Sequence, residues 1–203
     1  MKELERLSAL ELIDLYYGDE SRVSMEPCIP YGWQFKDEDV FIPSEKGKGL
    51  ILFGLLSRDN RLIFRTTKGK VDSSFVIEQL ETLAFTIKKM TVIVLDNARI
   101  HTSAKVQACR EAWEQRGLFI FYLPAYSPHL VLDKTAPPGP VRNLIETLWR
   151  KLKYQWLRPQ DYASEESLFY LVTQILAAVG RDLTINLASS ELAQTNCGGV
   201  LTS

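Results

Sequence analysis

Thr91 to His101, TVIVLDNARIH, constrains the fold of this 203-residue chain more than any other stretch. Val92, Ile93, Val94 and Leu95 form an aliphatic run with no polar interruption, and the run stops at Asp96. Strict alternation would mark a strand with one wet face, whereas a continuous run marks a strand buried on both. A sheet that holds such a strand carries helices on both sides, and ligands and reactive groups gather at its C-terminal strand ends. Asp96 stands at that end, with Asn97 and His101 close behind. An aspartate after a strand also serves as a turn or cap residue, so this stretch alone leaves both readings open. Ser103 is suited to cap a helix that runs to about Arg116.

The remaining elements arrange themselves around this strand. Lys2 to Leu12 has helical spacing and strong helix formers, and reads as a short N-terminal helix or the remnant of a linker. Ile13 to Asp19, IDLYYGD, predicts a strand ending at Asp19 and Glu20. Met25 to Gly49 contains Pro27, Pro30 and Pro43 together with Tyr31, Trp33 and Phe35; such aromatics suit an ordered excursion or hairpin better than a linker. Gly49 to Leu56 and Arg61 to Thr67 flank an Asp-Asn turn at residues 59 and 60 and predict a β-hairpin. Val76, Leu80, Leu83 and Ile87 recur at helical spacing, so an amphipathic helix crosses over to the Asp96 strand. Leu118 to Leu123 is another short buried strand, and Leu168, Leu171, Val172, Ile175 and Val179 mark a last helix stopped by Gly180. An antiparallel half followed by β-α-β-α units implies an α/β fold with a mixed sheet and helices on its faces.

Three features of composition narrow the class. A hydrophobic content of 46% and a charged content of 24% suit an ordinary globular protein, and no apolar run is long enough to cross a bilayer. Acids interrupt every apolar stretch of MKELERLSALELIDLYYGDE before a signal-peptide core can form, which places the protein in the cytoplasm. Cys28, Cys109 and Cys197 are odd in number and widely spaced, so neither a disulfide framework nor a structural zinc site is indicated. The formal net charge of −1 excludes a generally basic nucleic-acid coat, but charge is unevenly placed. Residues 58–70 and 142–158 each carry five basic residues against one acid. Such patches suit an anionic polymer bound in a defined groove, or are simply solvated faces.

A second acid of interest lies in Asn143 to Trp156, NLIETLWRKLKYQW. Its apolar stripe is Ile145, Leu148, Trp149, Leu152 and Trp156. At ~100° per residue Glu146 falls on the border of that stripe, with Arg150 and Lys153 on nearly the same azimuth. A surface pair of Glu146 with Arg150 at i, i+4 explains the same residues. Trp149 belongs to the core.

YYGDES, VIVLDNARIH, and LPAYSPHL followed by NLIETLWRKLK resemble the three catalytic blocks of the mariner-like bacterial insertion-sequence transposases, of the Tc/mariner superfamily. The match runs from about Leu15 to Trp156 and includes YGW at residues 31–33 and SPxL at residues 127–130. The resemblance implies a ribonuclease H-like fold, a mixed five-stranded sheet with helices on both faces. It also implies that Asp19, Asp96 and Glu146 are the Asp, Asp, Glu triad that holds divalent metal, Mg²⁺ or Mn²⁺, as two ions. The chemistry suits those residue types. Phosphodiester cleavage needs an activated water and a stabilised leaving oxygen, which two hard cations supply, and Mg²⁺ prefers oxygen ligands. In such a family, water attack frees a transposon end and the new 3′-hydroxyl then attacks target DNA. His101 is expected to orient a neighbouring group or cap local structure rather than bind metal, since hard-cation sites favour oxygen. Arg150, Lys151 and Lys153 are the expected phosphate contacts.

On this reading the catalytic domain covers residues 13–187, and residues 188–203 form a loosely held tail. The partners implied are DNA, both transposon ends and target, and further copies of the chain assembled on it. Too few residues precede Asp19 for the family's end-recognising helix-turn-helix, so a separate polypeptide is expected to supply it. The family pattern runs from SPxL straight into NxIE, whereas here the proline-rich residues 131–142 intervene, an insertion expected to bulge at the surface and impair catalysis. Two alternatives stay open: a ribonuclease H-like nuclease or resolvase that cuts without joining, and a non-catalytic remnant that binds DNA.

Overall fold

A computed structural model describes residues 1–27, 44–123 and 144–185. Helix α1 (Lys2–Ala9) precedes β1 (Asp14–Met25), β2 (Glu45–Ser57) and β3 (Leu62–Thr67), and α2 (Ser73–Thr86) then leads to β4 (Thr91–Leu95). Two helices follow, α3 (Arg99–Thr102) and α4 (Ala104–Gln115), then β5 (Leu118–Tyr122), α5 (Leu144–Lys151) and α6 (Glu165–Ala178). The strands form one five-stranded sheet in the order β3-β2-β1-β4-β5. β1, β2 and β3 pair antiparallel, while β1 with β4 and β4 with β5 pair parallel. This is the expected mixed sheet, its parallel half connected through helices as crossovers require.

Each strand's two faces feed different cores. Leu15 and Tyr17 of β1, Leu52 and Leu56 of β2, and Val92 and Val94 of β4 pack with α5 and α6. Tyr16, Phe53, Leu55, Ile93 and Leu95 pack on the other side with α2 and α4, around the fully buried Trp113. Every residue of β4 is buried, which explains its unbroken aliphatic sequence. α1 is joined to this body: Met1, Leu4 and Leu7 pack against the first core. Tyr17 donates its hydroxyl to Glu5 at 2.9 Å, and Glu5 also pairs with Arg58.

The local rules read from the sequence hold at most boundaries. Asp72 accepts from the Phe75 amide to cap α2, and Ser103 accepts from Val106 to cap α4. Asn60 closes the β2–β3 turn at φ 63°, and Gly180 follows α6 at φ 82°, a left-handed conformation open to glycine. Three elements differ from expectation. β1 does not end at Asp19 but continues to Met25, because its far half pairs with β2 as far as Glu45. The single helix expected over residues 143–156 becomes α5 and then a π-helical turn, Leu152–Trp156, closed by the Leu157 amide on the Leu152 carbonyl at 3.1 Å. α3 is a separate four-residue helix ahead of the one capped by Ser103. The aromatics at 31–35, the insertion at 131–142 and the tail from 188 lie outside the described residues.

Candidate active site

Asp19 owes its place to strand parity and to a missing side chain. It shares a face with Leu15 and Tyr17 and so points toward α5. Its cross-strand partner on β2 is Gly54. A Cβ at Gly54 would lie 2.9 Å from Trp149 Cη2 and 3.0 Å from Ile145 Cδ1, so the absence of a side chain there lets α5 lie directly on the sheet. Glu146, the neighbour of Ile145, is thereby carried to the same neighbourhood, with its side chain exposed.

Asp96 reaches that neighbourhood from β4. The β1–β4 register pairs Asp14 with Thr91 and Tyr17 with Val94, and its continuation by two residues sets Asp19 level with Asp96. β4 ends at Leu95, so Asp96 is free of the ladder and exposed. Asp19 is half-buried, and its carboxyl pKa is pushed up from 3.8 to about 7. Burial is the largest cause, followed by the negative charges of Glu20, Asp96 and Glu146, while a backbone hydrogen bond at Glu20 opposes them. Asp19 thus lies within electrostatic reach of both other acids of the expected triad. Among the described residues, however, no three His, Cys, Asp or Glu side chains are drawn closely enough together to enclose an ion.

Two residues bind Asp96 into a larger array, and sequence reasoning singled out only one of them. His101 is fully buried, with Nδ1 2.8 Å from Asp96 Oδ1 and Nε2 2.6 Å from Glu20 Oε1. Glu20 follows Asp19 on β1 and therefore points to the opposite face, where His101 lies. Ionised carboxylates only accept hydrogen bonds, so this pair of partners favours the charged imidazole, in which both ring nitrogens donate. Burial works against that charge, but the hydrogen bonds and negative charges of Glu20 and Asp96 outweigh it and raise the His101 pKa above 6.5. The signal in sequence was only the acid after Asp19, which has no spacing rule linking it to His101.

The basic residues sort into two groups. Among those of residues 58–70, Arg58 pairs with Glu5, Arg61 with Asp14 and Asp59, Arg65 with Glu78, and Lys68 with Glu165 and Glu166. That patch is therefore largely neutralised by α1, β1, α2 and the start of α6. Arg150, Lys151 and Lys153 have no ion-pair partner among the described residues, and the Glu146–Arg150 pair is not formed. Lys151 instead lies over the Trp156 ring, 5.9 Å from its centroid. Trp149 is buried, as expected of a core residue, though its indole N–H finds no partner among the described residues.

The donor chemistry suits a hard divalent cation: three carboxylates from separate elements, oxygen donors throughout, with the charges of Asp96 and Glu146 both acting on Asp19.

Comparison with known proteins agrees with this architecture. Among solved structures, the chain is similar to the Mos1 strand transfer complex at 20% identity and a TM-score of 0.55, covering 87% of this chain and 50% of that one. It is similar to the mariner Mos1 paired end complex with Mg at 19% identity and a TM-score of 0.55, covering 87% and 51%. The chain thus spans about half the length of these structures, and the likeness identifies the shared fold as ribonuclease H-like. No curated protein sequence matches. The DDE superfamily endonuclease family matches residues 14–169, well over half the sequence, and the chain belongs to that family.

Proposed function

We propose that this chain is the catalytic part of a mariner-like DNA transposase, which cuts phosphodiester bonds at transposon ends and joins the freed 3′-hydroxyl to target DNA. The observation that carries the reading is the place of Asp19 on β1, within electrostatic reach of Asp96 at the end of β4 and of Glu146 on α5. Asp19, Asp96 and Glu146 would hold two divalent ions, Mg²⁺ or Mn²⁺, the ions named in two of the Mos1 complexes. When bound, such ions supply an activated attacking oxygen and a stabilised leaving oxygen. The chain's own residues do the rest. Strand parity on β1 turns the half-buried Asp19 toward α5, while the exposure of Asp96 and Glu146 leaves their carboxylates open to a DNA backbone. Arg150, Lys151 and Lys153, free of ion pairs among the described residues, are suited to phosphate contacts that position the duplex without reading its sequence.

The partners follow from the same reading: transposon ends and target DNA, and other copies of the chain on that DNA. No helix among the described residues is long and apolar enough to cross a membrane.

The test is incubation of the purified chain with supercoiled plasmid and a labelled precut duplex in MgCl₂ or MnCl₂. Nicking of the plasmid and covalent capture of the labelled 3′ end, both lost in Asp19→Asn and Asp96→Asn, are expected. Nicking without capture would replace the transposase reading with that of a nuclease. Absence of both would leave a DNA-binding remnant.

A further inference from the structure

Asp96 differs from the other two acids in how it is held. Its Oδ1 accepts from the Ala98 amide at 3.0 Å and from His101 Nδ1 at 2.8 Å. No second bond to Oδ2 is formed among the described residues. His101 is in turn fixed from four directions. Nε2 is 2.6 Å from Glu20 Oε1. The ring packs at a tilt of 52° to Phe53, with centroids 6.2 Å apart. Its amide bonds Ala98 O at 2.9 Å, and its carbonyl accepts from the Tyr122 hydroxyl at 2.7 Å. α3 is only four residues long, and it delivers one fully buried side chain. A fully buried histidine with both nitrogens on carboxylates from two different elements is a built connection, because each bond restricts a different edge of the ring.

From this geometry we propose that Glu20 and His101 are positioning residues that lock the Asp96 carboxylate by Oδ1 and so present Oδ2 to the metal ions. The proposal rests on the reading of Asp96 as a metal-holding carboxylate. An aspartate just beyond the end of a strand, exposed and outside the β ladder, is otherwise free to rotate about χ1 and χ2. Ligand sets gain affinity when the partners behind them fix their direction, and loss of such a partner costs roughly 10–100-fold in metal affinity. Glu20 acts through the ring: it holds Nε2, and the ring transmits that constraint to Nδ1. Adjacent residues of one strand thus serve the site from opposite faces of the sheet, Asp19 directly and Glu20 through His101.

The test separates the two edges of the ring. Asparagine at 101 can present an amide N–H near the place of Nδ1 and keep the bond to Asp96. Glutamine reaches toward Glu20 and loses it. Mn²⁺ binding is measured by the electron paramagnetic resonance signal of free Mn²⁺, on the wild-type chain and on His101→Asn, His101→Gln, Glu20→Ala and Asp96→Asn, each first checked for folding by circular dichroism. The expected order is binding in the wild type, weakening in His101→Asn and Glu20→Ala, which keep the bond to Asp96 but lose the hold from Glu20, and a larger loss of roughly 10–100-fold in His101→Gln. A purely structural histidine would make the asparagine and glutamine variants equivalent. If His101→Gln and Glu20→Ala bind Mn²⁺ as tightly as the wild type while Asp96→Asn does not, the positioning role is overturned and the metal site stands. If the wild type does not bind, or Asp96→Asn binds unchanged, the metal site itself falls and this proposal with it. Should His101→Gln fail to fold, Glu20→Ala decides, since Glu20 is only half-buried.

Discussion

Burial and three other carboxylates all oppose a negative charge on Asp19, and ionising it has a cost in the metal-free protein. Its folded-state pKa of about 7 lies above the ordinary 3.8, so the folded chain retains a proton that the unfolded chain releases. Below pH 3.8 both states are protonated and the group contributes nothing. As pH rises toward 7 the unfolded state gains by ionising, and stability falls; above 7 the full cost is present. Asp19→Asn removes the charge with little change of shape. The metal-free variant should therefore melt at higher temperature than the wild type above pH 7, by about 2–4 °C for each kcal/mol relieved, and the gain should vanish as pH approaches 3.8. Equal melting temperatures across the whole range would mean that Asp19 is solvated and unperturbed. Asp96 was legible in the sequence because an aliphatic run stopped at it. Asp19 was legible only through resemblance, since the strand that carries it continues through the polar segment ESRVSM. Pairing with β2 sets that strand's length, and pairing overrides local preference. Glu20 escaped notice for a related reason: its partner His101 lies 81 residues further along the chain.

α5 is the element on which both the proposed chemistry and the proposed DNA contacts turn. Its buried stripe, Leu144, Ile145, Leu148 and Trp149, seats it over Gly54, and the opposite border offers Glu146, Arg150 and Lys151. The apolar periodicity made this helix visible in the sequence, but not the π turn that follows. One widened turn leaves Leu152 buried and changes only which carbonyl the Leu157 amide meets, a difference no 3.6-residue pattern reports. α3 was equally hidden, because four residues are too few to establish a period. If the basic residues here contact phosphate, each neutralised phosphate contributes about 0.9 to the slope of log affinity against log salt for duplex DNA. Arg150→Ala and Lys153→Ala, measured by fluorescence anisotropy on a duplex of arbitrary sequence, should each weaken binding and lower that slope by about one contact. Arg65→Ala, whose side chain is already paired with Glu78, should leave the slope unchanged. A loss from Arg65→Ala equal to that from Arg150→Ala would move the DNA path to the opposite edge of the sheet.

At the scale of the whole molecule, the order of elements predicted the architecture well. A hairpin followed by two crossovers admits few topologies, and right-handed connections bring β1 between β2 and β4. That central placement of β1 is what allows one strand to face α5 with Asp19 and His101 with Glu20. The sequence also suggested a basic patch at residues 58–70, and the fold answers it with acids drawn from four other elements, a neutralisation that composition along the chain could not disclose. The proposed function requires that Asp19, Asp96 and Glu146 form one metal-holding centre. Anomalous diffraction at the manganese edge, from crystals of the chain grown with MnCl₂, tests it most directly. The expected result is anomalous density ligated by the carboxylates of Asp19 and Asp96, with Glu146 at its border and Asp96 engaged through Oδ2. Manganese bound elsewhere, or density with Asp19 turned away from it, would contradict the claim.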